Sequence, residues 1–225
     1  MRGVVITGTS SGLGRQLFEL LANSDLAVCA IARRFHPDQK ELENSGRVRL
    51  VSCDLGRFGA KDCERICAAI DFDEVIFLNN AGVIDPIAQV GRLQVDEMEN
   101  SVAVNFLAPL QITNGLAAIV RRMSGRLTVV NITSGAAAHP IAGWDMYCST
   151  KAALRMALDV AASEGNFEVI HVDPGVIDTP MQDRIRSASN DDFPGLPRFL
   201  ELKAQNTLQD ARTVASRILK EHVFI

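Results

Sequence analysis

The sequence has few of the features that mark a membrane protein or a nucleic-acid-binding protein. No uninterrupted apolar run approaches the roughly 20 residues that a transmembrane helix needs, and no charged segment followed by an apolar one predicts a signal peptide. Basic residues number 23 against 27 acidic ones, so no positive excess is available to displace counterions from nucleic acid. We therefore expect neither a membrane nor a nucleic acid among the partners.

Cysteine is scarce as well, with five residues scattered over a chain of 225. An odd, scattered set is typical of a reducing compartment rather than a disulfide framework, so we expect a cytoplasmic protein. No spacing of His, Cys and acidic residues is typical of a metal site, and we predict none. Hydrophobic residues make up 47% and charged residues 22%, an ordinary globular balance. The length favours a single domain over residues 1–225.

Two hydrophobic periods alternate along the chain. Short, largely β-branched runs predict strands at 3–6, 26–32, 48–52, 75–78, 127–131 and 169–172. Stretches with helical spacing lie between or after them, at 13–23, 62–70, 95–123, 146–164 and 211–220, and Pro109 is expected to kink the third. Continuous apolar strands separated by helices are typical of a parallel sheet covered on both faces. The sequence thus predicts an α/β fold with a doubly wound, Rossmann-type parallel sheet.

Residues 178–208 interrupt this alternation. They contain Pro180, Pro194, Pro197 and a polar run, and we expect a long loop. Long loops in compact domains are often functional, and this one follows the carboxyl end of a strand, where such folds bind ligands. It is either a substrate lid at about 178–208 or a surface insertion.

The first strand-to-helix junction is rich in glycine and hydroxyl side chains. Glycine allows a sharp turn and lets backbone N–H groups approach a pyrophosphate, while the helix N-terminus adds partial positive charge. A glycine turn without a ligand would have the same composition. The position of the turn favours nucleotide binding, and the predicted contacts are Gly8, Ser10, Ser11, Gly12, Leu13 and Gly14.

Arg33 and Arg34 follow the predicted second strand. An acidic residue about 20 residues beyond the last glycine would bind a free ribose 2′-hydroxyl and select NAD. Arginines would instead pair with a 2′-phosphate. The pattern therefore predicts NADP(H), unless the two arginines are simply solvated. Asp54, at the end of the third strand, either accepts a hydrogen bond from the adenine amino group or caps the following turn.

Polar side chains also follow the fourth and fifth strands. Asn79 and Asn80 end the fourth, and Ser134 follows the fifth. Tyr147 and Lys151 share one face of the next helix, because they are four residues apart. Taken singly, each has an ordinary alternative: solvated helix surface for the last pair, and a turn residue for Ser134. Asn105, inside the kinked helix, has one too, since its amide could satisfy a buried backbone group.

In this order, the motifs resemble those of the short-chain dehydrogenase/reductase family. The resemblance runs from residue 3 to about residue 220. It rests on Thr-Gly-x-x-x-Gly-x-Gly, Asn-Asn-Ala-Gly, an asparagine, a serine and Tyr-x-x-x-Lys. A finer similarity, over 130–137, 143–144, 147–149, 174–179 and 181–182, is to the branch that contains sepiapterin reductases and benzil reductases. That branch reduces vicinal dicarbonyls and pterin side-chain ketones with NADPH.

The resemblance implies a role for each polar residue. Tyr147 would donate a proton to the carbonyl oxygen that Ser134 holds, and Asn105 would help to hold a water molecule. Lys151 would bind the nicotinamide ribose, and its ammonium group is expected to lower the phenol pKa from its usual value of about 10. The other implied cofactor contacts are Asn80, Ala81 and Gly82 at the adenosine ribose, and Pro174, Gly175, Val176 and Thr179 at the nicotinamide carboxamide.

The predicted function is NADPH-dependent reduction of a small carbonyl compound. Trp144, with Ala136 and Met181, would wall the substrate pocket beside Ser134 and Tyr147, although Trp144 could equally be core or subunit packing. The alternatives are a secondary-alcohol dehydrogenase, a 3-oxoacyl-thioester reductase and a non-catalytic NADPH sensor. The resemblance also implies a homodimer through helices 95–123 and 146–164.

Overall fold

A parallel sheet with six strands organises the chain in the computed structural model, which describes residues 1–165 and 167–224. The strand order is β3-β2-β1-β4-β5-β6. The strands are β1 Arg2–Thr7, β2 Ala27–Ala32, β3 Val48–Ser52, β4 Glu74–Asn79, β5 Arg126–Ile132 and β6 Glu168–Val172. Every predicted strand is present, and the order reverses between β1 and β4. The predicted doubly wound, Rossmann-type fold is confirmed.

Helices cover both faces of this sheet. They are α1 Gly12–Ala22, α2 Pro37–Glu41, α3 Ala60–Ala68, α4 Val95–Val102, α5 Ala108–Arg122, α6 Asp145–Ser163, α7 Pro180–Arg186, α8 Leu196–Ala204 and α9 Ala211–His222. Successive strand residues point to opposite faces. Val4 and Ile6 therefore pack with α1 and α9, whereas Val5 packs with α3, α5 and α6.

The long helix expected over 95–123 differs from the prediction. It is interrupted by a π-helical turn, Ala103–Leu107, which lies between α4 and α5. Pro109 is at the start of α5 and has no N–H to donate to the carbonyl of Asn105, so the regular hydrogen-bond ladder cannot continue through it. The irregularity thus falls one turn earlier than the proline, and Asn105 lies within it.

The stretch Val95–Arg122 is long and apolar enough to cross a membrane, judged by its length and composition alone. Helices buried in a protein core can have the same length and apolar composition. In this fold its apolar residues Ile112 and Leu116 are fully buried against the sheet, which accounts for their hydropathy.

The long loop predicted over 178–208 is wrong, because most of this segment is helical. Pro180 occupies the first turn of α7 and Pro197 that of α8, where the missing N–H costs nothing. Ile185, Phe193 and Phe199 are buried in one cluster. Two of the three prolines that indicated a loop are therefore helix starts, and Pro194 lies in the turn between α7 and α8.

Candidate active site

The glycine-rich turn after β1 is bound tightly to the end of β4. The Thr7 hydroxyl oxygen accepts hydrogen bonds from the backbone N–H groups of Asn80 and Ala81, at 3.1 and 3.0 Å. The Asn80 amide donates to the Thr7 carbonyl at 3.0 Å. The segment 79–82 therefore holds the turn in place, whatever else it contacts.

Glycine is required at two positions of this turn. Gly8 has a φ of +75°, and a Cβ atom on it would lie 2.9 Å from the Ala81 Cα. A Cβ atom on Gly14 would lie 2.2 Å from the Gly8 carbonyl oxygen. Ser11 directly precedes α1, and its side chain does not cap the helix. The first turn of α1 carries no acidic residue. The free backbone N–H groups at the N-terminus of α1 suit an anion, so the glycine-rich turn fits the pyrophosphate of a dinucleotide.

Two residues that the sequence analysis missed support the same turn from α2. The Gln39 amide, fully buried, donates to the Thr9 carbonyl at 2.9 Å. The His36 Nε2 donates to the Ser10 carbonyl at 3.1 Å. Because α2 has five residues, it is too short for a hydrophobic period to reveal it.

A cavity of about 400 Å³ opens between the ends of β2 and β3. It is lined by Arg33, Ser52, Cys53, Asp54, Arg57 and Asp62. The Asp54 carboxylate accepts from the Gly56 N–H at 3.1 Å, which is the capping interaction left open above. Arg34 is exposed beside the cavity without lining it. Arg57 was missed because it lies in the 3₁₀ turn Leu55–Arg57, which follows the strand end.

Arg33, Arg34 and Arg57 are free cations. None of them forms an ion pair or a side-chain hydrogen bond with any other residue in the ranges 1–165 and 167–224. Neighbouring Arg49 and Arg65, by contrast, pair with Asp71 and Asp62. A cavity bordered by unpaired guanidinium groups is suited to a phosphate.

Tyr147 and Lys151 lie on the buried face of α6, with exposed fractions of 7% and 5%. The Lys151 Nζ donates to the Ile132 carbonyl at 2.9 Å, and it lies 5.8 Å from the centroid of the Tyr147 ring. Ser134 is two residues beyond that carbonyl, and its hydroxyl accepts from the Ala136 N–H at 3.2 Å. The structure thus brings the three predicted residues together at the end of β5.

The electrostatics of the pair differ from the expectation. Burial raises the pKa of Tyr147 to about 12, a hydrogen bond with Ser134 opposes this, and the charges of Asp173 and Cys148 add to it. Burial lowers the pKa of Lys151 to about 8. Desolvation penalises both charged forms, and the main opposing influence on the phenol pKa is the hydrogen bond with Ser134, not the expected charge of Lys151. At neutral pH both groups hold their protons.

Asn105 forms hydrogen bonds within the protein through both the oxygen and the nitrogen of its side-chain amide. Its amide accepts from the Val83 N–H and donates to the Val83 carbonyl, both at 2.8 Å, and donates to the Thr150 hydroxyl at 3.2 Å. These contacts satisfy backbone groups of Val83, as in the structural alternative, and the role of holding a water molecule stays a prediction. Asn105 is also close to the amine: a Cβ on Gly82 would lie 3.3 Å from the Asn105 Oδ1 and 3.6 Å from the Lys151 Nζ.

The segment after β6 reaches the same edge of the sheet. Gly175 has a φ of +75°, and the Gln209 amide donates to the Pro174 carbonyl at 3.0 Å. The backbone of Gln209 also pairs with that of Val176. Thr179 faces the glycine-rich turn, 3.3 Å from where a Cβ on Gly12 would lie. Gln209, far along the sequence, gave no signal of this role.

The predicted substrate residues join one apolar cluster with Tyr147. Ala136 and Trp144 are buried in it and Met181 packs against it. The Trp144 ring stacks on Phe193 at 5.0 Å and 11°, and meets the Tyr147 ring edge-on at 5.7 Å. Trp144 thus packs between α6 and the 178–208 segment, and its role at the wall of the substrate pocket stays a prediction. No group of three or more His, Cys, Asp or Glu side chains within the described residues could hold a metal ion.

Comparisons with known proteins agree with this geometry. The family model for short chain dehydrogenases matches residues 2–190. A benzil reductase ((S)-benzoin forming) of Bacillus subtilis (strain 168) is 32% identical over 223 residues, covering 96% of this chain and 90% of that protein. The sepiapterin reductase of Meriones unguiculatus is 34% identical over 235 residues, covering 96% and 88%.

Among solved structures, that of the KRED1-Pglu enzyme superimposes with a TM-score of 0.86 at 27% identity, covering 100% of this chain and 95% of that one. The predicted family and branch are confirmed.

Proposed function

We propose a specific reaction for this chain, which belongs to the short-chain dehydrogenase/reductase family and is an oxidoreductase acting on carbonyl or alcohol groups. It reduces small carbonyl compounds, either vicinal dicarbonyls such as benzil or pterin side-chain ketones such as sepiapterin, with NADPH. The family binds nicotinamide cofactors, and NADPH supplies the hydride when bound. The observation that carries the proposal is the buried, protonated phenol of Tyr147 beside Ser134.

Reduction of a ketone needs a proton at oxygen. Because burial raises the pKa of Tyr147 to about 12, the phenol keeps its proton at neutral pH and serves as the donor. The Ser134 hydroxyl holds the carbonyl oxygen and stabilises the charge that develops there. Lys151 binds the nicotinamide ribose with its protonated amine. Asn105 helps to hold a water molecule next to that amine.

The same phenol can serve either direction of the reaction. Oxidation of a secondary alcohol would need Tyr147 as a base, and hence the phenolate. Desolvation disfavours that form in the cofactor-free site. The secondary-alcohol dehydrogenase therefore stays an alternative, and reduction of NADP⁺ by secondary alcohols in the absence of any carbonyl reduction would favour it.

NADP(H) is the proposed cofactor because of the unpaired arginines. Arg33 and Arg57 face one cavity from two different strand ends, and Arg34 adds a third cation. Together they would hold the 2′-phosphate, while Asp54 would accept from the adenine amino group with the carboxylate capacity that its cap leaves.

The other cofactor contacts follow the edge of the sheet. The pyrophosphate would lie on the N-terminus of α1, and the nicotinamide carboxamide on Thr179 and the backbone of 174–176. The residues that border the pyrophosphate and the adenosine ribose are Gly8, Ser10, Ser11, Gly12, Leu13, Gly14, Asn80, Ala81 and Gly82.

The substrate would enter beside the aromatic cluster. Ala136, Trp144 and Met181 give that side an apolar character, which suits an aromatic ketone. Phe193 of the 178–208 segment stacks on Trp144. We propose that this segment is a helical lid, and that its movement at this stack admits the substrate.

We further propose a cytoplasmic homodimer. Met156 and Val160 are exposed one turn apart on α6, and Leu107 is exposed in the π turn. An apolar patch of this kind is typical of a subunit interface. All five cysteines are free, as in proteins of a reducing compartment. Sedimentation of Met156→Glu against the unaltered protein tests the dimer, which should dissociate.

The decisive experiment is Tyr147→Phe. Phenylalanine keeps the ring that packs on Trp144 and removes the proton donor. NADPH consumption should fall by about 10² to 10⁴-fold with benzil and with sepiapterin, while NADPH binding, measured by fluorescence, stays within a few-fold. Retained turnover would refute the assignment.

Two further measurements separate the alternatives. If a 3-oxoacyl thioester is reduced and neither diketone nor pterin is, the thioester reductase is correct. If NADPH binds and no carbonyl is consumed, the chain is a sensor. Arg33→Ala should weaken NADPH binding at least ten-fold more than NADH binding, and equal losses would exclude the 2′-phosphate contact.

A further inference from the structure

Two cysteines outside the proposed site form a close pair. Cys63 and Cys67 lie one turn apart on α3, and their Sγ atoms are 4.0 Å from each other. Both are half-buried free thiols. They lie on the face of the sheet that α3 and α5 cover, and neither lines the arginine cavity, although Asp62, which directly precedes Cys63, does.

A glycine of α5 leaves room for both sulfur atoms. A Cβ on Gly115 would lie 2.5 Å from the Cys63 Sγ and 3.3 Å from the Cys67 Sγ. The Cys63 thiol also approaches the Gln111 carbonyl at 3.8 Å. Both thiols are therefore held between two helices and directed to the same small space.

The chemistry of the pair limits what it can bind. Zinc takes four protein ligands in structural sites, and no third His, Cys, Asp or Glu in the described ranges 1–165 and 167–224 completes such a group. Burial raises the pKa of Cys67 to about 12, so the site resists carrying thiolate charge. A suitable ligand is soft, takes two sulfur atoms and forms a neutral product.

We propose that Cys63 and Cys67 form a dithiol site for trivalent organic arsenicals. An arsenoxide, R–As=O, would condense with both thiols. Two As–S bonds form, and the oxygen leaves as water with the two thiol protons. No atom changes oxidation state, so no oxidant is needed, and the product carries no charge into the half-buried space.

Bridging should be far stronger than attachment to one thiol. Once the first As–S bond forms, the second thiol is 4.0 Å from the first and reacts as if at high local concentration. A disulfide would instead require the sulfur atoms to close from 4.0 Å to about 2 Å, with loss of two electrons to an oxidant. The adduct needs neither.

The test uses the full chain with phenylarsine oxide. Intact mass spectrometry should show one phenylarsenic group added per chain with loss of one water, and two fewer thiols should react with a thiol reagent. Dithiothreitol should reverse the adduct, and an equal concentration of glutathione should not. Cys63→Ser and Cys67→Ser should each weaken binding at least 100-fold.

Two controls keep the proposal falsifiable. Cys148→Ser removes a half-buried thiol elsewhere on the chain and should leave binding unchanged. Gly115→Ala keeps both cysteines and should weaken binding at least ten-fold by crowding the Cys63 sulfur. Tight binding by either Cys63→Ser or Cys67→Ser, or its loss in Cys148→Ser, would overturn the proposal. A disulfide formed in air before the arsenical is added would overturn it as well.

Discussion

Lys151 should destabilise the folded protein at neutral pH, because its amine is buried without a counter-charge. No carboxylate in the described part of the chain forms an ion pair with it, and its one hydrogen bond is to the Ile132 carbonyl. Burial lowers its pKa from 10.5 to about 8. At about 1.4 kcal/mol per pKa unit, the folded state penalises the charged amine by roughly 3 kcal/mol.

The perturbation is Lys151→Met in the cofactor-free protein. Methionine keeps most of the aliphatic stem and removes the charge. The Ile132 carbonyl loses a donor, at a cost of about 1 kcal/mol. We therefore expect the free energy of unfolding, measured by urea denaturation at pH 7, to rise by about 1–2 kcal/mol, while carbonyl reduction is lost. A gain in stability with a loss of activity would support a functional role for this buried amine.

The pH dependence gives the prediction a distinctive sign. The folded-state pKa lies below the unfolded one, so the unfolded chain binds more protons between about pH 8 and 10.5. The stability of the unaltered protein must rise relative to the variant across that window. The other titrating groups are present in both proteins, so their contributions cancel in the difference between the two free energies of unfolding. A variant less stable at pH 7, or a difference that stays constant to pH 10.5, would refute the reasoning.

Three other changes probe the lid, the cofactor cavity and a helix end. Phe193→Ala should reduce the free energy of unfolding by about 3–5 kcal/mol in urea denaturation, since this fully buried ring stacks on Trp144; a loss below 1 kcal/mol would mean that the cluster is loosely packed. Arg57→Ala should raise the KM for NADPH about ten-fold more than that for NADH, and an equal rise would remove Arg57 from the phosphate site. Asp210→Ala should lower Tm because the carboxylate caps α9 through the Thr213 N–H; its pKa is lowered by that contact, so the difference should vanish as acid protonates it.

The sheet could be predicted because its physics is local. Strands buried on both faces are continuous apolar runs, and those at Ala27–Ala32 and Glu74–Asn79 were readable without knowledge of their neighbours. The pairing of Tyr147 with Lys151 was equally readable, since four residues make one turn of any helix. Ser134 follows the end of β5, and α6 packs its Tyr147 and Lys151 face against that end of the sheet. The approach of the three residues therefore follows from the order of these two elements.

What could not be predicted depends on contacts between distant segments. Proline has two opposite meanings, a break inside a helix or a favoured first residue, and local composition did not separate them at Pro180 and Pro197. The sequence did not reveal that Phe193, 49 positions further along, stacks on Trp144. Gln209 supports Pro174 from 35 residues away, a distance that no period in the sequence reports.

The same limit applies to the electrostatics of Tyr147 and Lys151. From spacing alone, an ammonium beside a phenol should lower the phenol pKa, yet the desolvation of both groups depends on the whole cluster that encloses them. Burial moves the two pKa values to about 12 and about 8, so near pH 7 the cofactor-free site holds a proton on each group. A protonated phenol is ready to donate, whereas a base would first have to lose its proton. Burial, more than the spacing of the two residues, thus sets the protonation of the pair in the cofactor-free site.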